Sequence, residues 1–243
     1  MRKTFLGITL KKLIMVACFL VITIIVSNAM TIRQFQHVDD VILTGMDGPF
    51  VLAESRMITI GFIPMILGTF YEIIFSTRTS NNILIRNSGR KEIVYRELLG
   101  IIVGSVAAFI LSMIISSAIA AVKCDGNSGL YKLSGNIVVA ILKVVVINSL
   151  EISIVLTFFD ILRNVFAKNL PPIIILYAFC AVFGVYPRTS KMSAVFGVKV
   201  EASSYYREAF SVFGVKVMIA AIIIELVLAG MLMMIVRRKD YLR

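Results

Sequence analysis

The sequence predicts an all-helical integral membrane protein, and three observations lead to that fold class. Of its 243 residues, 59% are apolar and only 16% are charged. Apolar runs of helix length recur along the chain, whose mean hydropathy is +0.94. A soluble domain has about 45–50% apolar and about 25% charged residues. The composition therefore excludes a soluble enzyme, a disordered chain and a nucleic-acid-binding domain.

Six apolar runs have the length of membrane-spanning helices, since about 20 helical residues cross a hydrocarbon core of roughly 30 Å. In chain order they are Leu13–Met30, Met57–Thr77, Leu98–Val122, Asn136–Leu162, Pro171–Pro187 and Lys216–Val236. Pro64 lies inside the second run and predicts a kink there. Pro171 and Pro172 suit a helix start, where a missing amide hydrogen has little effect. No intervening segment is long enough to bury its own core, so residues 1–243 are expected to form one transmembrane domain.

Positive charge orients these spans, because Lys and Arg concentrate on the cytoplasmic side of membrane proteins. With the N-terminus inside, 15 Lys and Arg residues fall on the inner side and 9 on the outer side, while Lys143 lies within the fourth run. The acidic stretch from Asp39 to Glu54 then lies outside. Both termini are therefore expected in the cytoplasm, and the first run is expected to be a retained anchor rather than a cleaved signal peptide.

The loop between the second and third runs carries a short basic motif. It reads RNSGRKEIVYRELLG over residues 86–100. Asn87 or Ser88 can cap a short helix that starts near Gly89, and Glu92 and Arg96 have the favourable i,i+4 order for an ion pair. Such a helix along the inner membrane face would dock a soluble partner. The alternative is a basic loop that only sets the topology.

This loop resembles the coupling helix of type-2 ATP-binding-cassette transporter permeases, the class of antibiotic, bacteriocin and multidrug exporters. The resemblance rests on NSGRKEIVYREL in this loop, MRKTFLGITLKKL before the first run, FFDILRNVFAKN at the end of the fourth and RRKDYLR after the last. It extends over the whole chain, through topology and short degenerate motifs. It implies an ATPase-coupling set in this chain: Asn87, Ser88, Gly89, Arg90, Lys91, Glu92 and Arg96.

The resemblance also implies an activity and partners. The expected activity is export of an amphipathic substrate, such as a peptide, an antibiotic or a lipid-like molecule. The expected partners are a cytoplasmic ATPase subunit that binds ATP and Mg, a second permease, identical or different, and the lipid of a prokaryotic plasma membrane. This chain itself is expected to bind no cofactor, metal or nucleic acid, and it contains no G-x-x-x-x-G-K-[ST] string for a nucleotide.

Ionisable residues at membrane depth are candidates for a functional role, because each costs at least about 2.5 kcal/mol to insert. Four are singled out: Glu72, Lys143, Glu151 and Glu225. Glu72 and Lys143 are near enough to the span ends to reach the interface. Asn148 could bridge Lys143 and Glu151. The four groups either line a translocation path or pair between helices.

The third run contains small residues at an unbroken spacing of four: Gly100, Gly104, Ala108, Ser112, Ser116 and Ala120. Small residues at this spacing let two helix backbones approach closely in lipid. Tight packing inside one bundle is favoured over a dimer or gating interface.

The segment before the last run repeats itself. VFGVKV occurs at Val195–Val200 and again at Val212–Val217. In the resembling family this region forms short re-entrant or interfacial helices at the outer mouth, and Gly197 and Gly214 would suit breaks between such pieces. A plain amphipathic lid and a gate both fit the pattern.

Three other functions compete with an exporter permease. An ion-coupled transporter would use Glu151 or Glu225 as its proton site and would need no ATPase. An intramembrane enzyme needs a clustered nucleophile, base or metal set, whereas the single histidine, His37, lies in the first outer loop and no G-x-S-x-G string is present. A non-transporting immunity or scaffold protein is also compatible with the sequence.

Overall fold

The computed structural model describes residues 10–38, 52, 57–71, 90–123, 137–166, 170–185 and 212–238, and every regular element within them is helical. The all-helical prediction is therefore confirmed for these residues. The helices, numbered in chain order, are α1 (Leu10–Val38), α2 (a π-helical Met57–Phe62 continued by an α-helical Ile63–Thr69), α3 (Arg90–Lys123), α4 (Ile137–Val165), α5 (Leu170–Val185) and α6 (Val212–Arg238).

Three of the described helices are long and apolar enough to cross a membrane. The qualifying stretches are Val94–Val122 in α3, Ile141–Val165 in α4 and Met218–Val236 in α6. The apolar stretches of the other three helices are shorter: Ile14–Ser27, Ile58–Thr69 and Leu170–Val182. These lengths and compositions are consistent with a membrane-embedded protein.

The outer faces of the helices support the same conclusion. Large apolar side chains are exposed on α1, α3 and α6, among them Phe19, Ile22, Val103, Ile114, Leu226, Val227 and Met234. Soluble monomers rarely expose contiguous apolar surface on this scale, whereas lipid tails solvate it without penalty.

Helix α4 is the centre of the bundle. It packs against α6, α3, α2 and α5, while α1 packs against α3 and α2. The main apolar core runs from Ile24 of α1 through Ile66 of α2 and Phe109 of α3 to Phe159 of α4. Each of these four side chains is buried.

Contacts between helix ends give the relative directions of the helices. Phe19, early in α1, makes an edge-to-face contact at 5.9 Å with Phe70, just after α2. The Arg163 guanidinium, near the end of α4, lies 4.9 Å from the centre of the Tyr71 ring. Val94, early in α3, clusters with residues late in α4 and α6. Hence α2, α4 and α6 end, and α3 begins, on one side of the bundle, which we call the Arg163 end.

Helix α2 departs from regular α-helical geometry next to its proline. The sequence predicts a kink at Pro64, and the structure has a π-helical segment that ends at Phe62, two residues earlier. The proline ring would clash with the carbonyl of Ile60 in a regular α-helix, and Ile60 lies in the wider π turn. Further along, Gly68 packs so closely on α5 that a Cβ atom there would overlap Cδ2 of Leu176.

Two expectations about helix ends are corrected. A short coupling helix was expected to be separate from the third span, but α3 runs without a break from Arg90 to Lys123. The first ten residues of α3 contain good helix formers and no proline, so nothing interrupts the backbone hydrogen bonds before the span. A break was also expected at Gly214, but Gly214 lies inside α6, which includes the whole second VFGVKV copy. The first copy, with Gly197, lies outside the described residues.

Candidate functional site

Buried polar side chains are concentrated on α4, the central helix. The first two of these buried polar residues, Asn148 and Ser149, are adjacent in the sequence. The others follow Ser149 at spacings of three or four residues, so the polar side chains share one helix face. The polar row consists of Asn148, Ser149, Ser153, Thr157, Asp160 and Asn164, all of them buried. A polar row in an otherwise apolar helix requires partners, because buried polar groups without hydrogen bonds are costly.

Glu225 of α6 meets the polar row midway along both helices. Its Oε1 accepts hydrogen bonds from Ser153 Oγ and Thr157 Oγ1, both at 2.8 Å. The side chain is only 7% exposed, and its other oxygen, Oε2, is buried with no hydrogen-bond partner among the described residues. At a rise of 1.5 Å per residue, Glu225 lies about 16 Å along α6 from Val236. That distance is about half the thickness of a hydrocarbon core of roughly 30 Å.

The helices around Glu225 bring no cation to it. The sequence has no ionisable side chain in α3 between Leu98 and Val122, and none but Glu225 in α6 between Val217 and Val236. On α4, Glu151 is the only ionisable residue between Val144 and Phe159. Glu151 lies about 200° around α4 from Ser153, on the opposite face. The carboxyl of Glu225 is thus held by two neutral hydroxyl donors.

A second polar group lies at the Arg163 end. Arg163 Nη1 lies 4.0 Å from Oδ1 of the buried Asp160, and Nδ2 of Asn164 donates to the Asp160 carbonyl and to Oδ1 at 2.8 and 3.2 Å. The same guanidinium stacks on Tyr71, whose hydroxyl experiences the charges of Asp160, Glu97 and Arg163. The ends of α2 and α4 and the start of α3 therefore meet around one buried charged group.

An apolar cluster at the same end links three helices. The Val94 cluster consists of Val94 from α3, Ile161 from α4, and Leu232 and Val236 from α6, all buried. Leu98 and Leu228 pack against it. This cluster joins the start of α3 to the ends of both helices that hold the Glu225 site.

The predicted coupling residues lie at the start of α3 or just before it. The ion pair predicted between Glu92 and Arg96 is confirmed, with Arg96 Nη2 2.6 Å from Glu92 Oε1. Both side chains are exposed, as are the neighbouring Tyr95 and Leu99. The backbones of Arg90 and Lys91 belong to the first turn of α3. Residues 87–89 lie outside the described residues.

Of the four ionisable residues expected at membrane depth, the three that the structure describes do not come together. Glu225 is buried at the α4–α6 contact, whereas Glu151 and Lys143 are half-buried elsewhere on α4. No ion pair joins Lys143 to Glu151, although the structure describes both. Asn148 does not bridge them, because its Nδ2 donates to the Val144 carbonyl of its own helix and its Oδ1 has no partner in the described part of the chain. Glu72 lies outside the described residues.

The small-residue ridge of α3 faces the bundle. Ala108, Ser112, Ser116 and Ala120 are buried, while Gly100 and Gly104 are half-buried. Ser112 Oγ donates to the Ala108 carbonyl one turn earlier at 2.7 Å, so this hydroxyl is satisfied within its own helix. The burial fits close packing inside one bundle, the favoured interpretation of the ridge.

Sequence reasoning missed the partners of Glu225 and the buried Asp160. Ser153 and Thr157 carry no individual signal, yet their i,i+4 spacing inside an apolar run was available as one. Asp160 lies within the predicted fourth span, but its nearness to the span end and to Arg163 concealed it. Glu97 was assigned to the loop, whereas it is fully buried in α3.

The described residues include no group of three His, Cys, Asp or Glu side chains that could hold a metal ion. No family model, curated protein or solved structure matches the chain.

Proposed function

We propose that this chain is the membrane-spanning permease subunit of an ATP-binding-cassette exporter. In this proposal all six helices span the plasma membrane of a prokaryotic cell, with both termini and the Arg163 end in the cytoplasm. ATP and Mg bind to a separate ATPase subunit, and a second permease, identical or different, completes the transporter. The substrate is amphipathic, such as a peptide, an antibiotic or a lipid-like molecule.

The observation that carries the proposal is the position of the Val94 cluster. The first turns of α3 present the paired, exposed Glu92 and Arg96 on one face and the buried Val94 on another. Val94 contacts the cluster formed with the ends of α4 and α6. A partner that docks on the exposed face of α3 therefore has only α3 between itself and the α4–α6 pair. These two helices contact each other more extensively than any other pair among the described helices.

The continuous α3 gives such a partner a direct mechanical connection. A rigid helix transmits a push along its whole length, and α3 extends from the docking face through the apolar stretch Val94–Val122. ATP hydrolysis in the partner would tilt α3, and the Val94 cluster would carry that movement to α4 and α6. The path for the substrate would then open along the bundle.

The test is co-purification of a soluble ATPase with the tagged chain from its native cells in mild detergent. Wild type is expected to retain ATPase activity, and Arg90→Glu with Lys91→Glu is expected to release it by charge repulsion at the docking face. The matched control also reverses two positive charges, but at the side of the bundle away from the Arg163 end: Arg33→Glu with Lys123→Glu. This control should retain the ATPase.

Equal retention of the ATPase by both double variants would contradict the coupling role of α3. Absence of any ATPase from wild-type preparations in several detergents would refute the exporter proposal altogether. Where an ATPase is retained, the subunit stoichiometry of the complex distinguishes two identical permeases from two different ones.

A further inference from the structure

We propose that Glu225 is a proton-binding site at the centre of the α4–α6 contact, and that its occupancy controls that contact. The inference is independent of the exporter proposal, since ATP-driven transport does not require a titrating group inside the membrane. It rests on the geometry of the buried carboxyl and on the charges around it.

The contacts of the carboxyl assign different roles to its two oxygens. Oε1 is held in place by Ser153 and Thr157, whose hydroxyls donate to it from successive turns of α4. Oε2 is buried and has no partner among the described residues. It is therefore the atom available to form a new O–H bond, while the two hydroxyl donors continue to orient the group.

A proton is the ligand whose size fits this closed site. The carboxyl lies between two packed helices, with Ser153 and Thr157 buried on one side. A metal ion or an organic cation needs several oxygen ligands and space for its own radius, whereas a proton adds an O–H bond without displacing a helix. Protonation takes the proton from a hydronium ion, which becomes water, and leaves a neutral carboxylic acid.

The charges facing the site come from few positions. Within the described residues α6 packs chiefly on α4 and α3, and α3 has no ionisable side chain from Leu98 to Val122. On α4, Glu151 lies on the face away from Glu225, and Lys143 is separated from Ser153 by more than two turns. Asp160 lies less than one turn beyond Thr157 on the polar row, and its nearby cation is Arg163. Among the described residues no cation pairs with Glu225, so its ionised form would be a buried charge stabilised by two hydroxyl donors alone. Protonation removes that charge.

Exchange of the proton couples the site to helix movement. Because Oε2 is enclosed by the α4–α6 contact, water can reach it only when these helices separate. Conversely, loss of the proton leaves a charge that favours separation and hydration. The α4–α6 contact is closed with the proton bound and is expected to open when it is released.

The test is infrared difference spectroscopy of the purified full-length chain in dodecyl maltoside, a detergent without carbonyl groups. Wild type at neutral pH is expected to show the carbonyl band of a protonated carboxylic acid, which shifts in D₂O and is lost at alkaline pH. Glu225→Gln should remove the band. The matched control is Glu151→Gln, which removes the other mid-helix carboxyl of this region and should leave the band unchanged.

A further variant keeps the test decisive if Glu225→Gln does not fold. Ser153→Ala with Thr157→Val removes both donors to Oε1, so the band should move to higher frequency, as expected for a carbonyl freed from hydrogen bonds. A band that survives Glu225→Gln, a band lost in Glu151→Gln, or the absence of a band at neutral pH would each overturn the proposal. If the frequency of the band is unchanged when both hydroxyls are removed, the assignment of Oε1 as the accepting oxygen is overturned.

Discussion

Replacing Leu232 with alanine tests whether the Val94 cluster holds the end of α6 in place. Leu232 is fully buried, with 0% of its surface exposed, and shares its cluster with Val94, Ile161 and Val236. The matched control is Leu226→Ala in the same helix, because the side chain of Leu226 is 66% exposed. The two variants delete the same atoms from a packed and an unpacked site.

The magnitude follows from what the deleted atoms contact. In soluble proteins a buried Leu→Ala change costs about 2–5 kcal/mol, from lost transfer free energy and from the cavity left behind. Lipid tails are as apolar as leucine, so within a membrane the transfer part is small and the lost packing contacts remain. We therefore expect about 2 kcal/mol for Leu232→Ala, at the low end of that range. For Leu226→Ala we expect a change within about 0.5 kcal/mol.

The assay is reversible unfolding of the purified chain in mixed micelles, with loss of helical circular dichroism followed as SDS is added. A cost of 2 kcal/mol corresponds to roughly a 30-fold change in the unfolding equilibrium, which shifts the midpoint measurably. If both variants unfold at the same midpoint, Leu232 does not pack against α3 and α4. The mechanical link used in the proposed function would then fail with it.

Three further predictions concern other contacts. Gly68→Val should destabilise the fold by about 1–3 kcal/mol in the same assay because it overpacks the α2–α5 contact, whereas Gly230→Ala, which meets no atom within 4 Å, should be neutral or stabilising by up to about 1 kcal/mol. Arg163→Gln should cost about 3 kcal/mol, since it deprives a buried carboxylate of its nearby cation, and a loss below about 1 kcal/mol would show that other groups stabilise the carboxylate. In a cysteine-free background, Tyr95→Cys should react with a membrane-impermeant thiol reagent only from the cytoplasm and Val122→Cys only from outside; labelling of both from one side would refute the proposed topology.

Part of the candidate site could be predicted from the sequence. Glu225 stood out because an ionisable residue in a long apolar run is rare and costly. The Glu92–Arg96 pair was predictable because it depends only on i,i+4 geometry within one helix. Both predictions concern distances along a single element, where the helix repeat determines the neighbours.

The partners of Glu225 could not be predicted from the sequence. They depend on how α4 and α6, whose contacting residues are 68 and 72 positions apart, are rotated against each other. Ser153 and Thr157 could have donated to carbonyls of their own helix, as Ser112 does. Their hydroxyls instead reach α6 because their face of α4 is turned towards it. The possible bridge from Lys143 through Asn148 to Glu151 did not form for a local reason, because Nδ2 of Asn148 donates to the Val144 carbonyl of its own helix.

The sequence by itself determined the class of this protein and the places where its helices lie. Hydrophobicity and helix propensity act along the chain, so composition and apolar run length suffice for an all-helical protein suited to a membrane. Only the tertiary structure decided that Val94 joins the ends of α4 and α6 and that Glu225 meets Ser153 and Thr157. These features depend on which faces of distant helices are brought together, and a run of apolar residues carries little information about that because lipid and protein are equally apolar neighbours.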